Sequence, residues 1–438
     1  MQNQSQFPQI THHIGRVESL NNNGYGVIQS DDSVGKIEIP FCLPDEIVIF
    51  DKLQYKRTAY YAMSKVVDNP NLMRKDPLCP HFTICGGCIL QHMSDEFYAQ
   101  YKLQNLISLL PQNHVDKIKP ITIIPNGLRR KANFEIVKKN DKIFLGFHRL
   151  SSRQIINLET CKILRSEIVK IIHPLKNLMS FILNDFEKAE LFITLAENGL
   201  DIGFEIQNVK LIPEEKRQII VEFCNQNNIK RFTFRHRKFF DEIFHLKTEE
   251  NPANPYIKFA NYHVSITPWS FVQTSEEAEN AMIDEMNEIL GEIDEKKSCI
   301  DLFSGRGTYT FSLYNKFEKI KAIELSQESI NALNEARDEY VLNIESEVRN
   351  LFENPISAGE LQHFGMAIIN PPRAGAENQS IELAKSDILD IIYVSCNPET
   401  FVRDLKILEK RYKLISIKPI DQFIWSNHLE IVCHLTKI

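Results

Sequence analysis

The 438 residues are 43% apolar and 25% charged, which excludes wholesale disorder and allows two or three domains with cores of their own. No run reaches the roughly 18 apolar residues of a membrane span, and the polar start Met1-Gln2-Asn3-Gln4-Ser5-Gln6 does not read as a signal peptide, so a cytoplasmic protein is expected. The net charge of −7 excludes a chain basic throughout, and nine cysteines are too few for a disulfide scaffold, so clustered ones point to metal or catalysis.

Residues 10–65 hold short alternating runs, His13 to Leu20, Gly24 to Ile28, Val34 to Pro40 and Glu46 to Phe50, broken by Asn, Asp, Gly and Pro. That spacing predicts a compact β-barrel of the OB type, a fold that often grips single-stranded nucleic acid and equally serves as a structural module. Next come Cys79, Cys85 and Cys88 at CxxxxxCxxC spacing around Gly86 and Gly87, with Cys161 as the nearest later candidate for a fourth ligand. Four thiolates fit either tetrahedral zinc or an iron–sulfur cluster, and the two glycines favour 4Fe–4S because they let backbone amides approach inorganic sulfide. An amphipathic helix is expected over residues 93–110.

Between Asp116 and Arg153 ten Lys/Arg stand against three acids, and Leu128 to Phe147 reads as a hairpin whose polar side is basic. A second run, Lys230 to Phe240, interleaves cations with aromatics. Cations hold phosphates and aromatic faces stack on unpaired bases, so both runs suit RNA; the competing reading is solvated strand faces over a Phe core.

From Ser298 onward the pattern is strand, glycine turn, helix, strand, acid. Cys299 to Phe303 reads as a buried strand, Ser304-Gly305-Arg306-Gly307 as a turn into a helix, and Glu324 as the acid ending the next strand. Such an arrangement holds a nucleoside cofactor, with backbone close to the ligand and the carboxylate on the ribose hydroxyls. The short GxG favours S-adenosylmethionine over a dinucleotide. Further on, the β-branched strand ending at Cys396 is followed by the helix start Asn397-Pro398, which sets the cysteine at a strand's carboxyl end, where α/β sheets bind ligands. If the last strand, from Glu430 to Leu435, runs antiparallel, Glu430 joins Cys396, Asn370 and Glu324 at one edge. A thiolate adding to carbon 6 of a uracil would activate carbon 5 toward a methyl donor, and a nearby carboxylate would remove the carbon-5 proton.

The CxxxxxCGGC run with distant Cys161, Phe271-Val272-Gln273, Asp301 to Gly307, Asn370 to Gly375, Tyr393 to Asp404 and His428 to Val432 together resemble the RNA 5-methyluridine methyltransferase family, in particular its iron–sulfur ribosomal-RNA branch. The resemblance covers nearly the whole chain. It implies an α/β protein with a TRAM barrel over residues 1–70, a central α+β domain over 71–265 holding an iron–sulfur cluster and binding RNA, and a Rossmann-like methyltransferase domain over 266–438. It implies Cys396 as nucleophile and Glu430 as base. S-adenosylmethionine would contact Gln273, Phe303, Thr308, Glu324 and Asn370, and a 4Fe–4S cluster would sit on Cys79, Cys85, Cys88 and Cys161. Arg129, Lys131 and Phe271 would meet the RNA, expected to be 23S ribosomal RNA, and a monomer is expected. Asn370 stands where the family usually has Asp, Thr274-Ser275 follow Gln273 where an Asn is common, and Ser304 and Arg306 replace smaller or apolar residues. The alternatives are a transfer-RNA 5-methyluridine methyltransferase, an amino-group methyltransferase, since Asn370-Pro371-Pro372 partly matches its motif, and a non-catalytic RNA-binding protein with a decayed cofactor site.

Overall fold

The computed structural model describes residues 13–29, 35–56, 59–206, 212–236, 241–245, 254–293 and 298–438. Two compact units emerge, residues 1–105 with 425–427, and residues 106–424 with 428–438. In the first unit the alternating runs pair into a six-stranded sheet in the order His13–Arg16, Ile47–Lys56, Ala59–Asp68, Lys36–Ile39, Gly26–Gln29, Ser19–Leu20. Its inward side chains, among them Val17, Ile28, Ile39, Val48 and Phe50, form one apolar cluster. The strand expected to stop at Phe50 runs on to Lys56 and pairs antiparallel with Ala59–Asp68. Glu46 is wholly buried, tolerated because Arg74 forks onto both its oxygens at 2.6 Å.

The excursion Trp425 to Asn427 belongs to this first unit. The Trp425 carbonyl accepts from the amides of Ile89 (2.8 Å) and Leu90 (3.1 Å), its own amide donates to Tyr98 Oη at 2.8 Å, and Asn427 donates to Asn23 at 3.0 Å. The expected helix forms as Asp95–Leu109.

The second unit begins with a six-stranded sheet in the order Asp241–His245, Ile229–His236, Gly199–Ile206, Lys188–Ala196, Lys131–Lys139, Lys142–Gly146. The last two strands are the expected hairpin, antiparallel with Lys139 opposite Lys142. The run from Lys230 differs from its RNA-facing expectation. Lys230 and Arg231 are buried, Phe232 and Phe234 are core, and the Arg231 guanidinium grips Asp201 through two bonds of 2.9 and 2.7 Å. The sequence alternates, yet both faces of the strand are covered, Lys230, Arg231 and Thr233 being buried as well as the two phenylalanines. Residues 237–240 of that run lie outside the described residues.

The final sheet carries the remaining chemistry. Its strands are β1 (Cys299–Leu302), β2 (Ile320–Glu324), β3 (Ile344–Val348), β4 (Met366–Ile369), β5 (Asp390–Ser395), β6 (Tyr412–Asp421) and β7 (Glu430–Lys437), in the order β3-β2-β1-β4-β5-β7-β6 with Thr122–Ile123 beyond β6. Strands β1 to β5 are parallel and β7 is antiparallel to both β5 and β6. β1, β4 and β5 read as nearly continuous apolar runs because helices cover both faces. Those helices include α1 (Glu276–Gly291), α2 (Thr308–Ser312), α3 (Gln327–Tyr340), α4 (Glu377–Lys385) and α5 (Pro398–Leu408). Strand order reverses between β1 and β4, so the carboxyl ends of these two strands open the crevice where such sheets bind ligands. No helix among the described residues is long and apolar enough to cross a membrane.

Candidate active site

At the end of β1 the chain must reverse quickly into α2. It does so with three residues in the left-handed region, Phe303 (φ 61°), Gly305 (φ 57°) and Gly307 (φ 93°). Glycine at 307 meets a second demand, since a Cβ there would fall 2.8 Å from the Phe311 ring. The Phe303 ring packs at 5.4 Å from that of Phe352. Glu324, the last residue of β2, accepts from the Gly305 amide (3.0 Å) and the Ser326 amide (2.9 Å), so the turn and the acid are fixed to each other. Asn370 follows β4 across the switch point and its amide donates to the Leu302 carbonyl at 3.1 Å. Thr308 opens α2, beside the same turn. Beneath them lies Asp301, wholly buried, its carboxyl pushed up to about 7 by burial against the pull of the Thr310 hydroxyl at 2.6 Å. A positive-φ glycine turn with a fixed, half-exposed carboxylate opposite fits a nucleoside cofactor such as S-adenosylmethionine.

The second cluster lies two strands away on the same edge. β5 ends at Ser395, which stands opposite Ile431 in β7. Antiparallel pairing then puts Cys396 one step beyond that rung, on the side of Glu430. Asn397 caps α5 by accepting from the Glu399 amide at 3.2 Å, and Pro398 supplies the preset first helical residue. Glu430 is only 5% exposed, and its Oε1 accepts from Gln422 Nε2 at 2.7 Å; the same Gln422 amide donates to Gln273 at 3.2 Å. Burial pushes the Glu430 carboxyl up to about 7, with the Gln422 amide and the Arg373 charge pulling the other way. The Cys396 thiol is raised by burial and then by the Glu430 charge, and Arg373 opposes both. Arg373 also reaches His428 Nε2 at 3.0 Å, and its carbonyl accepts from Asn397 (3.0 Å), the residue after Cys396, and from Thr400 (3.1 Å) in the first turn of α5. A thiol that a guanidinium draws toward its ionised form, next to a carboxyl of near-neutral pKa, can carry out nucleophilic addition and proton removal.

Sequence reasoning did not assign Gln422 or Arg373. The only signal for Arg373 was its place after Asn370-Pro371-Pro372; Gln422 had none, because its role depends on β6 and β7 lying side by side.

The other expected positions scatter. Phe271 is 72% exposed, whereas Gln273, two residues on, is buried beside Gln422. The Lys131 ammonium turns inward onto the Ser270 carbonyl, and burial pushes it down to about 8. Arg129 donates through Nε to the Lys131 carbonyl at 3.0 Å. Cys79, Cys85, Cys88 and Cys161 are all half-buried thiols outside any disulfide, and the Gly87 amide donates to Cys85 Sγ at 3.4 Å. Among the described residues no group of three or more His, Cys, Asp or Glu side chains is arranged to hold a metal ion.

A model of the tRNA (uracil-5-)-methyltransferase family matches residues 96–438. An uncharacterized RNA methyltransferase of Mesorhizobium japonicum is 33% identical over 425 residues, spanning 96% of this chain and 97% of that protein. The 23S rRNA (uracil(1939)-C(5))-methyltransferase RlmD of Francisella tularensis subsp. novicida is 29% identical over 442 residues, spanning 96% of each. Among solved structures, the Pyrococcus abyssi tRNA (uracil-54, C5)-methyltransferase in complex with S-adenosyl-L-homocysteine superposes with a TM-score of 0.72 at 20% identity, covering 97% of this chain and all of that one, a likeness of fold.

Proposed function

Because this chain belongs to the tRNA (uracil-5-)-methyltransferase family, and so is an RNA (uracil-5-)-methyltransferase, we propose that it methylates carbon 5 of a uridine in 23S ribosomal RNA through a covalent adduct on Cys396. The observation that carries this reading is the pairing of Cys396 with a buried Glu430 on the edge that also holds the glycine turn and Glu324. S-adenosylmethionine, held by Gln273, Phe303, Thr308, Glu324 and Asn370, supplies an electrophilic methyl group. The protein's own residues do the rest. The Cys396 thiolate adds to uracil carbon 6, which makes carbon 5 nucleophilic. Arg373 stabilises the thiolate before addition. Once carbon 5 carries the methyl group, Glu430 takes its proton, the carbon 5–carbon 6 double bond re-forms and the thiolate departs. The ribosomal substrate is favoured by the 23S rRNA relative, whose match spans 96% of this chain. Cytoplasmic work follows from that substrate.

Tritium release from carbon-5-labelled uridine tests this. With S-adenosylmethionine, unmodified 23S rRNA should release tritium and labelled tRNA should not. Release from tRNA alone would move the substrate to the transfer-RNA side; release from neither, by protein that binds S-adenosylhomocysteine, would overturn carbon-5 chemistry.

In this reading residues 1–70, which hold the six-stranded sheet of the first unit, are a TRAM barrel that grips RNA, followed by a central domain over residues 71–265. Cys79, Cys85, Cys88 and Cys161 would hold a 4Fe–4S cluster, supported by their thiol chemistry, their spacing and the Gly87 amide on Cys85. Its role in this reading is to brace the central domain and the basic hairpin against RNA. Cys85→Ser should then lose iron and bind RNA more weakly while still binding S-adenosylhomocysteine; a folded, iron-free variant with undiminished RNA affinity would sink the bracing role.

A further inference from the structure

The segment from Ser265 to Gln273 joins the two halves of the second unit and carries Phe271 at its tip. It has no helix or strand of its own beyond Ser265, so its carbonyls need other partners. Four cationic side chains from three places in the fold provide them. Arg306 donates to the Ser265 carbonyl at 2.9 Å, Arg231 to that of Ile266 at 2.7 Å, Lys131 to that of Ser270, and Arg130 to that of Gln273 at 3.2 Å. Arg235 lies over the Trp269 ring at 3.4 Å. All but one of the four belong to the neighbouring sheet or the residue preceding it.

Arg306 is the exception, because it is the middle residue of the Gly305–Gly307 turn. It is only 5% exposed, its Nη2 pairs with Glu328 in α3, and its Nε has no hydrogen-bond partner among the described residues. Glu328 in turn accepts from Thr267 Oγ1 at 2.7 Å, so the same guanidinium is tied to the strap a second time, through the Glu328 carboxylate. The opposite side of the turn is tied through Gly305 to Glu324.

We propose that Arg306 is a positioning residue that couples the cofactor turn to the Ser265–Gln273 strap, so that filling the cofactor site orders the segment presenting Phe271 to the target base. Any ligand that presses on the Gly305 amide or on Glu324 shifts the turn, and the buried guanidinium has two fixed anchors on the strap side through which that shift is passed on. The coupling rests on the cofactor reading given above and adds a route by which cofactor occupancy prepares the protein for RNA. Linkage makes it reciprocal, since RNA held by the strap would tighten cofactor binding by the same factor.

Trp269 makes the strap visible without RNA. The chain has two tryptophans, and the share of emission due to Trp269 is the part lost in Trp269→Phe. Titration with S-adenosylhomocysteine, followed by calorimetry and by acrylamide quenching, should protect Trp269 in the parent protein. Arg306→Met should still bind S-adenosylhomocysteine, weakened less than about tenfold as for one lost hydrogen-bonded contact, but lose the protection, and Arg306→Lys should restore part of it. Glu328→Gln, on a half-exposed side chain that folding tolerates, should weaken the protection independently. Undiminished protection in both Arg306→Met and Glu328→Gln, or none in a parent protein that binds the ligand, overturns the coupling. A parent protein that binds no S-adenosylhomocysteine would instead overturn the cofactor reading, and the coupling with it.

Discussion

Methyl transfer to RNA is expected to fall by at least about ten-thousandfold in Cys396→Ala, because the thiolate is what turns an unreactive uracil carbon into a nucleophile. Little else should change. Cys396 is half-buried at the mouth of a crevice, and α5 keeps its cap through Asn397, so the substitution leaves the apolar core untouched. Binding of S-adenosylhomocysteine and thermal stability therefore serve as controls, measured beside single-turnover methylation with labelled S-adenosylmethionine. An active Cys396→Ala protein would redirect attention to an exocyclic nitrogen as acceptor, which needs no covalent help, and to Asn370-Pro371-Pro372 as its holder.

Glu430→Gln should fail at a later point and leave a trace. Addition and methylation proceed, but the carbon-5 proton has no acceptor, so the RNA stays on Cys396 and a protein–RNA band survives denaturing electrophoresis. Turnover should drop about a thousandfold, the usual scale for a lost general base. With the carboxyl pushed up to about 7, the base form of the parent enzyme is depleted as pH falls below that value, and decay of a preformed adduct should slow about tenfold per pH unit there. Stability runs in the opposite sense. The folded state favours the neutral carboxyl, so this contribution is fully present below the ordinary value of 4.5 and is lost as pH rises to about 7. Glu430→Gln removes that ionisation and should be more stable than the parent at pH 8, by at most about 3 kcal/mol. Turnover without any accumulated adduct would assign the proton to another group.

The catalytic half was legible because its signals are local. The glycine turn, the acid ending β2, and the strand that stops at Cys396 each occupy a few consecutive residues and state their geometry directly. The place of Glu430 needed one further condition, the antiparallel direction of β7, and its register against β5 meets it. What could not be read depends on distant partners. The stretch Lys230 to Arg235 alternates as a half-exposed strand should, yet Asp201, Trp269 and the Ile266 carbonyl cover its polar face, so cations that look ready for phosphate are already engaged. Lys131 misleads in the same way, its charge turned inward to a carbonyl that the sequence places 139 residues away. Gln422 is invisible for the same reason, since a glutamine after a strand means nothing until its neighbours are known.

The three-residue excursion from Trp425 to Asn427 bears on how such a protein can be taken apart, in the laboratory or by evolution. The first unit is not a cassette that ends at residue 105. Its own hydrogen bonds to Ile89, Leu90, Tyr98 and Asn23 come from chain that lies between Gln422 and Glu430. Excising the first 105 residues would strip an indole that is now 4% exposed of its surroundings, within a few residues of Gln422 and Glu430. Removing this unit whole therefore takes more than one cut, since its residues come from two separate stretches of the chain.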